Sequence, residues 1–71
     1  MMANQLSNTL KVHRAQHNWT QAQLAEFVHV TRKTINTIER GHFVPSTVLA
    51  LKLARTFDVP VEALFFLKEE N

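Results

Sequence analysis

The sequence predicts a small all-α domain, five compact helices in 71 residues, and three observations carry that reading. Residues 20–41 hold two short amphipathic stretches separated by a tight turn, each with its own start signal. Further start signals follow at Pro45-Ser46 and at Pro60. Hydrophobic residues make up 45% of the chain, ample for a compact helical core at a length near the lower limit for a domain without staples.

In order, the first helix begins after Asn8 as N-cap and runs to about His17. Its inner stripe, Leu10, His13, Arg14 and His17, is unusually polar for a core face. The second helix opens on a capping box, Thr20 with Gln23, flanked by the hydrophobic staple Trp19 and Leu24. Thr31 caps the third helix, and Val30 and Ile35 repeat the staple. Gly41, the only glycine, stands where that helix must stop, because it enters the left-handed conformation freely. Helix, short turn, helix is the pattern of residues 20–40.

Pro45 forces an extended approach to Ser46, the N-cap of a fourth helix from Thr47 to about Phe57. That helix is apolar on several sides, with Leu49, Ala50, Leu53 and Phe57 on one and Val48 and Leu51 elsewhere, so it is expected to be the central one. Phe43 is expected to plug the core beneath the third helix. Pro60 opens a short fifth helix through Ala63, Leu64 and Phe65. Phe65, Phe66 and Leu67 cannot all face inward on so small a domain, and an exposed apolar run marks a partner surface. Residues 4–7 are placed to pair as a short strand with residues 66–68, and the chain ends in an acidic, solvated KEEN.

The third helix carries the chemistry. At about 100° per residue, Ile35 and Ile38 form its inner edge with Glu39 beside them. Lys33, Asn36, Thr37 and Arg40 point outward, and Arg32 lies between the faces. The outward set contains donors suited to base edges and phosphates, and no carboxylate. Arginine and lysine match guanine O6 and N7, asparagine matches adenine, and the threonine methyl meets that of thymine. Glu39 and Arg14 both point inward with opposite sign, and since a lone buried charge is prohibitive, they are expected to pair. The net charge of +2 is uneven: up to Pro45 five basic residues face two acidic ones, and from Ser46 three face four. The basic half coincides with the third helix, as a phosphate-facing surface requires.

Other chemistry is not supported. Without cysteine there is no disulfide framework, zinc finger or thiol nucleophile, which suits a reducing cytoplasm. His13 and His17 lie four apart on one helix face, but no third ligand accompanies them, so no metal is assigned. Ser7 and Ser46 read as lead-in and N-cap, and one glycine cannot build a phosphate loop. The longest apolar run, residues 63–67, is too short to span a bilayer, and MMANQLSN is no signal peptide. A cytoplasmic, non-enzymatic protein without cofactor or evident small-molecule ligand is expected.

The segments LKVHRAQHNWTQAQLA, VTRKTINTIERG, FVPS and LALKLARTFDVPVEALF together resemble the Cro/C1-type (XRE, lambda-repressor-like) helix-turn-helix family, over residues 8–65 of a single 1–71 domain with a short extension at 66–71. The resemblance implies a lambda-repressor-like fold and sequence-specific binding of double-stranded DNA through the major groove. It makes Arg32, Lys33, Asn36 and Thr37 the base-reading candidates. It makes Gln21, Thr31, Thr34, Arg40, His42, Ser46 and Thr47 candidates for phosphate contact, with Gln21 also buttressing the readers. It implies that the Arg14–Glu39 pair sets how the third helix projects. His29 stands where the family usually has glycine, leaving the turn either strained or rebuilt, and Asp58 where glycine or asparagine often ends the fourth helix.

One reading helix covers too few base pairs to pick out an operator, so a homodimer on an inverted repeat is expected, built on Leu6, Leu64, Phe65, Phe66 and Leu67. A repressor is the leading expectation. The alternatives are an antitoxin or phage-type regulator with a protein partner on the C-terminal patch, or an interaction adaptor that uses the fold without reading bases.

Overall fold

A computed structural model describes residues 6–68. The order is β1 (Leu6–Asn8), α1 (Leu10–Gln16), α2 (Gln21–Val28), α3 (Arg32–Glu39), α4 (Thr47–Phe57), α5 (Val61–Leu64) and β2 (Phe65–Leu67). The fold class is the expected one, five helices closed by a two-stranded antiparallel sheet of the chain's two ends. Residues 4–5 of the expected strand and residues 69–71 of the acidic end lie outside the described residues.

The expected pairing of the two segments is there, between Leu6–Asn8 and Phe65–Leu67: Leu6 faces Leu67, Ser7 faces Phe66 and Asn8 faces Phe65. Alternation then puts Leu6, Asn8, Phe65 and Leu67 on one face and Ser7 and Phe66 on the other. Phe65 enters the core at 9% exposure and Phe66, on the opposite face, stays at 43%; Leu67 shares the face of Phe65 but lies past the core at 71%. Leu64 is fully buried. It is therefore a core residue and not part of a partner surface, which corrects its assignment above; Phe65 is nearly so.

Two residues at the β1–α1 joint tie the ends together. Thr9, not Asn8, is the N-cap of α1; it makes no side-chain cap bond, and its hydroxyl donates to the Ala63 carbonyl at 2.7 Å. Asn8 does that work from one residue upstream, its Oδ1 accepting from the Leu10 N–H at 3.1 Å. Its Nδ2 meanwhile donates to the Ile38 carbonyl at 2.9 Å, fastening the far end of α3.

The core is Leu10, Leu24, Ala25, Val28, Ile35, Ile38, Leu49, Leu53, Ala54, Phe57, Leu64 and Phe65. Two expectations fail here. Phe43 is 48% exposed and plugs nothing, because Asn8 and the strand pair already close the end of α3 beside it. And α4 is not enclosed: it buries Leu49, Leu53, Ala54 and Phe57, but Val48 and Leu51 remain 63% and 54% exposed on its outer side. A domain with five short helices has no second layer to cover them. His13 and His17 pack their rings on Phe57 at 5.7 and 5.3 Å, and His17 also stacks on Trp19 at 4.5 Å. Their role among the described residues is packing.

The first four helices end in one device. Asn18, His29, Gly41 and Asp58 take left-handed φ of 58°, 63°, 78° and 59°. The following N–H in each case reaches back to satisfy an orphan carbonyl: Trp19 to Arg14, Val30 to Ala25, His42 to Thr37 and Val59 to Ala54. His29 thus keeps the conformation a glycine would have, at a strain cost. His29→Gly and Asp58→Gly are expected to stabilise the fold by about 0.5–1 kcal/mol each, relief of the left-handed penalty exceeding the added entropy of the unfolded chain. Gly41→Ala should destabilise by about 1 kcal/mol through its backbone alone, since an added Cβ meets nothing within 4 Å. Thermal melts of the three variants check both signs.

Candidate nucleic-acid interface

The local signals in residues 20–41 fold as their spacing dictates. Thr20 Oγ1 accepts from the Gln23 N–H at 3.0 Å, and Gln23 Oε1 accepts from the Thr20 N–H at 2.8 Å. Thr31 Oγ1 accepts from the Thr34 N–H at 3.2 Å, and the two threonine hydroxyls lie 2.9 Å apart. Trp19 and Val30 pack against the core as staples. Ile35 and Ile38 are buried, so α3 sits on α2 by its apolar edge and turns its polar row to solvent.

In that row Arg32, Lys33 and Arg40 are exposed, and Asn36 and Thr37 are half-buried. The Thr37 hydroxyl lies 3.1 and 3.0 Å from the carbonyls of Lys33 and Thr34 in its own helix, so its proton is spent there. Beyond α3, His42 is exposed, its N–H closing the helix on the Thr37 carbonyl at 2.9 Å. Ser46 Oγ accepts from the Leu49 N–H at 3.1 Å, which leaves its own proton unspent, and Thr47 opens α4 exposed. The first N–H groups of a helix such as α4 have no intrahelical partner and point outward.

Glu39, the only acid on α3, is turned inward, its side chain 4% exposed. Arg14 meets it with two bonds, Nε to Oε2 at 2.7 Å and Nη2 to Oε1 at 3.2 Å, and gives a third, from Nη1, to the Trp19 carbonyl at 2.9 Å. A buried carboxylate held by a bidentate guanidinium is satisfied, and the polar surface of α3 is left without negative charge. It is the one ion pair among the described residues. Gln21 joins this group: its Nε2 donates to Glu39 Oε1 at 3.0 Å, while its Oε1 accepts from Arg32 Nη1 at 3.3 Å and Asn36 Nδ2 at 3.4 Å. Gln21 thereby stands between the buried pair and two of the candidate readers.

Sequence reasoning missed three features around this site. Asn18 as a left-handed helix end was legible in principle, since asparagine is enriched there. The bond from Gln21 to Glu39 was not, because helix phase alone does not say which side chains of two helices meet. The exposure of Phe43 and Val44, at 48% and 66%, depends on what closes the end of α3. The two line a shallow groove with Leu6, Asn8, Ile38, Gly41 and Phe65.

No described helix is long and apolar enough to cross a membrane. Comparison with known proteins points one way. A family profile described as helix-turn-helix matches residues 10–64. The chain is 44% identical over 66 residues to the HTH-type transcriptional regulator YgzD of Bacillus subtilis, covering 93% of this chain and all of that protein. It is 43% identical, over the same shares, to an HTH-type transcriptional regulator of Methanocaldococcus jannaschii. Among solved structures, the restriction-modification controller protein C.AhdI of Aeromonas hydrophila is similar at TM-score 0.71 and 30% identity, over 76% of this chain and 82% of that one.

Proposed function

From a chain that belongs to the Cro/C1-type helix-turn-helix family of DNA-binding transcriptional regulators, a family without enzymatic activity, we propose a cytoplasmic repressor that binds an inverted-repeat operator as a homodimer. The observation that carries this reading is the outer face of α3: three cations and two hydrogen-bonding side chains in a row, with the one acid of the helix turned in and neutralised by Arg14. In this reading α3 enters the major groove, and Arg32, Lys33, Asn36 and Thr37 read bases. Thr31, Thr34, Arg40, His42, Ser46 and Thr47 flank the groove on phosphates, the last two with the N-terminus of α4.

The partner surface is Leu6, Phe66 and Leu67, to which the exposed Phe43 and Val44 add apolar area across the groove they share with Leu6. Leu64 and Phe65 support it from beneath.

Lys33→Ala is expected to cost about 1–3 kcal/mol on the selected operator and to relax preference at one base pair. Gel-shift titration against single-base operator variants reads this. Equal weakening on every sequence would move Lys33 to the phosphate set, and a wild type without sequence preference at any salt would favour an interaction adaptor.

A further inference from the structure

The two ends of the Gln21 amide are not interchangeable. Glu39 Oε1 lies 3.0 Å from Gln21 Nε2. A carboxylate paired with arginine is an acceptor only, so an amide turned the other way would set its carbonyl oxygen against a buried carboxylate oxygen at that distance. Glu39 therefore dictates that Nε2 faces inward and Oε1 faces α3. That carbonyl can engage only donors, and the donors present are Arg32 Nη1 at 3.3 Å and Asn36 Nδ2 at 3.4 Å. Asn36 in turn has its Nδ2 drawn to the α2 side, which leaves its second N–H and its Oδ1 for the groove. Asparagine reads adenine as one donor and one acceptor in a set order, donating to N7 and accepting from N6. In the reverse order donor meets donor and acceptor meets acceptor.

We propose that Glu39, acting through Gln21, fixes the amide orientation of Asn36 and so sets the preference for adenine at the base pair Asn36 reads. Gln21 is then a positioning residue for base reading and not a phosphate clamp. The buried pair that holds α3 in place also governs what α3 reads. The inference rests on the assignment of Asn36 as a reader.

The test compares the wild type with Gln21→Met, which keeps the length of the side chain and removes both polar ends, and with Asn36→Ala. Each is titrated at several salt concentrations against the operator selected by the wild type and its single-base variants. Asn36→Ala should relax one base pair. Gln21→Met should relax the same one, cutting discrimination there about tenfold. The slope of log affinity against log salt should not change, because no cation is removed; a lost Gln21 phosphate bond would show instead as equal weakening on every sequence. Glu39→Gln, measured at a temperature where it is folded, should also relax that base pair, because a glutamine there can turn either end toward Gln21.

A Gln21→Met protein that weakens all sequences alike, or that keeps the wild-type profile, overturns the positioning role while Asn36→Ala upholds base reading. Unchanged preference in Glu39→Gln overturns the control by Glu39. If Asn36→Ala relaxes no base pair, the reading assignment falls and the inference with it.

Discussion

Glu39→Gln and Arg14→Met are each expected to destabilise the fold by about 3–5 kcal/mol, because removing one member of a buried pair strands the other. The pair is well enclosed, with side chains 4% and 15% exposed. Glu39 is the more sensitive member, since it also accepts from Gln21. Arg14 loses more than charge, because its third bond holds the Trp19 carbonyl at the exit of the first turn. A domain of 71 residues has roughly 4–10 kcal/mol of stability in all, so either change takes a large share of it. At about 4–8 °C per kcal/mol for a domain this size, the midpoint should fall by more than ten degrees. The double variant should recover part of the loss. A denaturant double-mutant cycle decides: small additive effects would mean the two charges are solvated and independent.

Leu67→Glu and Phe66→Glu should produce folded monomers that bind the full operator orders of magnitude more weakly. Both side chains are exposed, so a carboxylate costs little in the monomer but is buried unpaired in a dimer. Leu67, at 71% exposure, is the cleaner site; Val44→Glu, at 66%, tests whether the patch extends across the groove. A two-fold axis there would set two α3 helices in successive major grooves, about 34 Å apart. Each monomer should keep its base preference on half-sites, which separates lost dimerisation from lost reading. Sedimentation at micromolar concentration decides the matter: a monomeric wild type, with operator affinity unchanged in the Glu variants, would rule out the proposed interface.

Much of the fold was legible because its signals are local. The Thr20–Gln23 box and the Thr31 and Ser46 caps each span three residues, a distance fixed by one helical turn. The Arg14–Glu39 pair spans 25 residues and was legible for another reason: two opposite charges turned inward on one small core have no cheaper arrangement than each other. The outward row of α3 followed from helix phase once Ile35 and Ile38 were placed inside.

What only the tertiary structure decided are the contacts where distant segments meet. Phe43 read as a core residue by size and position, yet Asn8, 35 residues earlier, had already closed the place it would fill. Gln21 read as a surface residue at a helix start, but its amide is committed to a carboxylate 18 residues on. Among Phe65, Phe66 and Leu67 composition could not say which is core. That is settled where the strand pairs with Leu6 to Asn8: alternation turns Phe66 away from the face of Phe65, and Leu67, back on that face, lies past the core and stays exposed.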